Sequence, residues 1–245
     1  MRRYMMLLPL ASAFLWNVYG QDVAQTHIAA TGLCNTGLTH ARPLPTGCTK
    51  STLVTPLNPQ SGGTSVDGNW QLATPYPTAP YDHDGPDPCL LTAFGPAWVD
   101  TPASYFFNPD DGLSQWITPL VDVPNTAGGW YVYATRLQVP PISNGYTKYV
   151  LTVAGQLMAD DQVPAIFLLS PNVGCNVVAL PSLSPIVGAN FVVHNAWNAF
   201  SFVATVAPDT TAYLYFLVYN LEVPAPNENG TGLRVEFTAA YFTPE

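Results

Sequence analysis

Twenty-five prolines and eighteen glycines are spread through 245 residues, so a breaker interrupts nearly every window long enough for a helix. Proline removes a backbone donor and clashes with the preceding turn, and isolated helices shorter than about 12–15 residues are marginal in water. A helical fold is thereby excluded. The runs left between the breakers are short and rich in β-branched and aromatic residues, the composition of strands.

Nine such runs predict strands: NWQLAT (69–74), AWVDTPASYFF (97–107), WYVYATRLQV (130–139), TKYVLTVAGQLMA (147–159), VPAIFLLS (163–170), CNVVAL (175–180), AFSFVATV (199–206), AYLYFLVYN (212–220) and GLRVEFTAAYF (232–242). In the seventh, Phe200, Phe202, Ala204 and Val206 share one face. In the last, Leu233, Val235, Phe237 and Ala239 alternate with Arg234, Glu236 and Thr238. Strands with one apolar and one polar side belong to an antiparallel arrangement rather than a parallel sheet coated by helices. The expected fold is therefore all-β, a two-sheet antiparallel β-sandwich of jelly-roll type over residues 66–245. Residues 21–65 are polar and turn-rich and read as an N-terminal arm packing on that sandwich.

The first twenty residues, MRRYMMLLPLASAFLWNVYG, have a basic head, an apolar run and a small-residue end. They read as a secretory signal peptide, so the mature chain is expected outside the cell. Its removal leaves five basic residues against sixteen acidic ones. Such a surface repels phosphate backbones and speaks against nucleic acid as a partner. In an oxidising compartment Cys34, Cys48, Cys89 and Cys175 are expected to form disulfides, with Cys34–Cys48 and Cys89–Cys175 the favoured pairing of the three available.

Motifs for catalysis are missing: there is no GxSxG elbow, HExxH or phosphate-binding loop, and a solitary His194 deep in the β region reads more simply as a hydrogen-bonded strand-end residue. The chain is not expected to be an enzyme. Candidate ligand contacts are Tyr76 and Tyr81, which a rigid proline-rich loop (PYPTAPYD) would hold outward for stacking on a sugar ring. The other tryptophan-bearing segments, around Trp70, Trp116, Trp130 and Trp197, read as core. The segment YDHDGPDPC places Asp82, Asp84 and Asp87 around Gly85, and Asp160 and Asp161 are adjacent. These five carboxylates are the candidate calcium ligands, since calcium takes about 6–8 oxygens and tolerates irregular loops. Ordinary turn placement also explains both groups, and Asp160–Asp161 most simply. Asn229 opens an NGT sequon, an acceptor only if the source glycosylates its secreted proteins.

Five segments in order, NTGLTHARPL (35–44), SVDGNWQL (65–72), SQWITP (114–119), AGQLMADDQVPAIFLLSPNVGC (154–175) and TGLRVEFTAAY (231–241), resemble a bacterial extracellular module common in secreted and surface proteins of the PEP-CTERM type. The resemblance spans residues 33–242 and implies a galactose-binding-like jelly roll. It departs from the module at the end, FTPE, where no sorting helix follows, and at LLSPNVG, which replaces a shorter turn. The expected function is a non-enzymatic binding module contacting a glycan or surface polymer in a matrix or adhesion role. The alternative is a structural subunit whose partner is another copy of itself, paired through edge strands or the N-terminal arm.

Overall fold

The protein is described by a computed structural model covering residues 27–38, 44–54, 64–76, 86–99, 113–119, 126–142, 145–179, 197–221 and 230–245. Twelve strands are present. They are β1 (Ile28–Ala29), β2 (Thr52–Val54), β3 (Thr64–Tyr76), β4 (Gly95–Val99), β5 (Ile117–Thr118), β6 (Gly129–Val139), β7 (Tyr149–Asp160), β8 (Gln162–Ser170), β9 (Gly174–Ala179), β10 (Asn198–Val206), β11 (Thr210–Asn220) and β12 (Gly232–Pro244). A single 3-10 turn, Pro88–Leu90, lies before β4, and no α-helix occurs among the described residues.

All the strands join one large, open antiparallel sheet in the order β10, β7, β12, β5, β4, β3, β6, β11, β8, β9; β1 adds to β12 and β2 to β3 beside that path. The longest ladders are β6 with β11, from Gly129↔Asn220 to Val139↔Thr210, and β7 with β12. Tight turns link successive strands, whether they pair, as β8 and β9 do, or stand apart in the sheet, as β10 and β11 do. After β8, Asn172 and Gly174 take positive φ (65° and 107°), conformations that asparagine and glycine tolerate best. Between β10 and β11, Asp209 does the same and the Thr210 hydroxyl donates to the Ala207 carbonyl (2.6 Å).

The predicted strands occur with small changes of boundary. β3 begins at Thr64, five residues before the predicted start; β4 opens at Gly95, two residues early, and residues 100–107 of its predicted run lie outside the described residues. β1, β2 and β5 were not predicted. Residues 27–54 contribute β1 and β2, a bridge from Thr31 to Gln138, and the Cys34–Cys48 pair (Cα–Cα 5.6 Å). They are also stitched to the last strand: Asn35 Oδ1 accepts from Phe237 N (2.8 Å), and Thr36 accepts from Val235 N through its hydroxyl and donates to Val235 O. The presumed leader lies outside the described residues.

Both halves of the sheet contribute to one core. β7, β10 and β12 supply Leu151, Val153, Phe202 and Val235, while β3, β6 and β11 supply Leu72, Tyr133, Leu214 and Val218. At its centre Phe216 meets Trp70 (5.3 Å between rings), Phe200 (5.8 Å) and Phe237 (6.5 Å), so the two halves meet at a four-ring cluster. Offset and edge-on ring pairs of this kind contribute roughly 0.5–1.5 kcal/mol each beyond their buried area.

Two faces expected in water are covered. A bulge between Phe237 and Ala239 shifts the core set of β12 to Ala240 and Phe242 and leaves Ala239 exposed. Arg234 and Glu236, predicted to face solvent, are buried, because Ser114, Gln156 and Trp197 close over them. On the other half, the outward residues of β6 and β11, among them Trp130, Val132, Tyr215 and Leu217, form a second apolar cluster under residues 89–94. That cover is fastened by the Cys89–Cys175 pair (Cα–Cα 6.1 Å).

Candidate functional site

The residues singled out in the sequence do not converge. Tyr76 ends β3, its backbone paired with Trp130; Tyr81, Asp82, Asp84, His194 and Asn229 lie outside the described residues. Asp87 caps the 3-10 turn, its Oδ1 accepting from Cys89 N (2.9 Å). Its side chain also lies near the sulfurs of Cys89 and Cys175, but a disulfide has no thiolate to offer a metal. Cys175 pairs with Leu169 near the C-terminal end of β8, whereas Asp161 precedes its N-terminal end. Asp87 and the Asp160–Asp161 pair are therefore at opposite ends of that strand.

Asp160 and Asp161 occupy the link from β7 to β8, joined by a cis peptide bond. Strand alternation would send their side chains apart, but Asp161 sits at the bend, outside the strands, and the two carboxyls hydrogen-bond to each other. Burial, then the neighbouring Asp161 charge, then that hydrogen bond push Asp160 up to about 8. Asp161 Oδ2 also accepts from Leu221 N (2.6 Å), and the Asp160 carbonyl accepts from the Thr231 hydroxyl. The pair thus pins the ends of β11 and β12 to one turn. Its hydrogen bonds run to distant strands rather than to the residue two positions on.

A second buried polar group lies on β12. Arg234 Nε donates to Ser114 Oγ (2.6 Å), Ser114 Oγ donates to Glu236 Oε1 (2.7 Å), and Gln156 Nε2 donates to Glu236 Oε2 (2.8 Å). The guanidinium also lies 5.1 Å from the Trp197 ring. These groups satisfy one another and are sealed from solvent, which suits a structural role better than ligand contact.

Among the described residues, an accessible arrangement of polar and aromatic groups is found on the outer face of β3, β6 and β11. Period-two alternation puts Asn69 and Gln71 of β3, Ala134 and Arg136 of β6, and Tyr213 of β11 on the same side. The register makes Arg136 the direct cross-strand partner of Tyr213, and Ala134 that of Gln71. The small Ala134 leaves a depression between larger neighbours, and these residues with Gly68 and Thr135 line a cleft of about 210 Å³. Tyr213 lies parallel to Tyr215 (6.2 Å, 9°), which in turn stacks on Phe94 (6.0 Å, 18°). A row of parallel rings therefore runs along β11 into the cleft.

Asn69 is held in place by Thr49, whose N–H and hydroxyl donate to Oδ1 while Nδ2 donates to the Thr49 carbonyl. Asp67, buried one turn of the alternation away, accepts from Gly37 N (2.6 Å) and Asn69 N (2.8 Å), and burial pushes its carboxyl up. Its oxygens are buried among Gly37, Asn69 and Trp70. A second cleft of about 280 Å³, lined by Thr31, Gly47, Gln138 and Thr211, adjoins the first and shares Arg136 with it.

Sequence reasoning placed its aromatic candidates in the proline-rich loop and missed this face. The signal was present in two places: tyrosines at 213, 215 and 219, all of one parity within an otherwise apolar strand, and an arginine at 136 inside WYVYATRLQV. No protein-family model matches the chain, and no curated protein is similar to it.

Proposed function

We propose that this protein is a secreted, non-enzymatic binding module with a jelly-roll sandwich, and that it contacts a glycan through the groove on the outer face of β3, β6 and β11. The observation that carries this reading is the Tyr213 ring set beside Gln71 and Arg136 over the Ala134 depression. A flat ring can receive the apolar face of a pyranose, and flanking amide and guanidinium groups can bond its hydroxyls. Two shallow, adjoining clefts favour a polymer lying across the strands over a small molecule enclosed in a pocket. The meeting of both sheet halves at the four-ring cluster supports the sandwich architecture, and the two cysteine pairs accord with an oxidising, extracellular setting. The likeness to the bacterial extracellular module adds the same architecture.

The test is titration of the mature protein against a panel of oligosaccharides. Tyr213→Ala is expected to weaken binding by about two- to tenfold, the loss of one ring contact worth roughly 0.5–1.5 kcal/mol. Binding unaffected by Tyr213→Ala would move the site elsewhere, and a panel with no binder would remove the glycan reading.

A further inference from the structure

The groove holds positive charge that no acidic side chain among the described residues pairs with. The sequence has sixteen acidic residues and seven basic ones. Of the basic side chains described, Lys148 is paired with Glu245 (2.9 Å) and Arg234 is buried against Glu236 (3.7 Å). Arg136 is exposed, and no hydrogen bond or ion pair engages its side chain among the described residues; the same holds for Gln71 beside it. Lys50, also exposed, follows Thr49, the residue that clamps Asn69 at the groove wall. The nearest acid on that strand, Asp67, is buried and points toward Gly37.

Although the chain as a whole is acidic, the charge at the groove itself is positive, from Arg136 and Lys50, and an arginine without an acidic partner is available for a ligand. Arginine's planar fork matches a carboxylate with two parallel N–H···O bonds. Its cross-strand partner is the aromatic ring of Tyr213, close enough for a sugar stacked on the ring to bring a ring-borne carboxylate to the guanidinium. Because Arg136 lines both clefts, it stands where two successive residues of a polymer would meet.

We infer that the groove is selective for acidic polysaccharides bearing uronic-acid carboxylates, with Arg136 as the carboxylate anchor and Tyr213 as the stacking platform. This selectivity rests on the glycan-binding reading above. It names the substrate class of the same site.

The experiment is calorimetric titration of the full mature protein, wild type and Arg136→Gln, Arg136→Lys and Tyr213→Ala variants, against three probes. These are a galacturonic-acid oligomer, a neutral cello-oligomer of the same length, and a sulfated galactan lacking carboxylates. The galacturonic-acid oligomer should bind the wild type best. Arg136→Gln should weaken it at least tenfold and lower the weaker neutral binding by a much smaller factor, the loss of a hydroxyl contact alone, while Arg136→Lys, which keeps the charge but not the fork, should fall between. Melting curves matching the wild type establish that the variants fold. Equal affinity for the neutral oligomer, or acidic binding indifferent to Arg136→Gln but lost in Tyr213→Ala, overturns the charge selectivity and leaves glycan binding standing. Sulfated galactan binding as tightly as the uronate overturns the carboxylate assignment. Binding of none of the three removes the inference and, with the wider panel also negative, the glycan reading beneath it.

Discussion

Burial, with the Asp161 carboxylate beside it, raises Asp160 from 3.8 to about 8. Between those limits the folded chain holds a proton that the unfolded chain has released, so this residue makes stability fall as pH rises from about 4 to 8 and leaves it unchanged below that window. Asp67, raised in the same direction by burial, contributes with the same sign. Asp160→Asn retains a donor for Asp161 but does not titrate. Thermal melts across that range should therefore show a flatter pH dependence for the variant than for the wild type, and parallel curves would contradict the assignment. The sequence marked this pair as a turn, and a turn it is. What could not be read was its long reach, because Leu221 and Thr231, which it holds, are about sixty and seventy positions away.

Among elements, the long strands were legible because side chains of alternating polarity declare a period of two, as in Phe200, Phe202 and Val206, all buried in β10. β1, β2 and β5 have two or three residues each, too few to show any period. β6 and β11 were legible as strands, but what covers their second face was not. Their runs are apolar on both sides, and only the structure reveals the second cover, residues 89–94, lying on Trp130, Tyr215 and Leu217. The Cys89–Cys175 link spans 86 positions in sequence and holds that cover down. Replacing both cysteines by serine should cost about 2–5 kcal/mol of stability. Hydrogen exchange should quicken first in residues 86–94 and along β9; a loss spread evenly over the sheet would count against a tethering role. The groove escaped sequence reasoning for the same reason as the cover. Its residues come from three strands whose adjacency is set by β3 pairing with β6 and β6 with β11, and sequence alone does not rank such pairings.

For the molecule as a whole, Phe216 ties the two ends of the strand order together through Trp70 on one side and Phe200 and Phe237 on the other. Phe216→Ala should lower stability by about 3–5 kcal/mol while unfolding remains a single transition by fluorescence and circular dichroism. Two resolved transitions would mean that the halves stand independently. Proline and glycine excluded helix, and the short alternating runs between them gave the all-β class. The single continuous sheet does not follow from them, since it depends on which edges meet.

Asn35 and Thr36 bond to Val235 and Phe237, and β1 lies against β12, so the earliest-made part of the described fold finds its partners among the latest-made. At roughly 5–20 residues per second of synthesis, that interval is on the order of ten seconds or longer. For much of it β7 stands with its ladders incomplete, since its partners β10 and β12 are made after it. Until β12 is made, such a nascent chain carries open strand edges, which are templates for pairing with another chain.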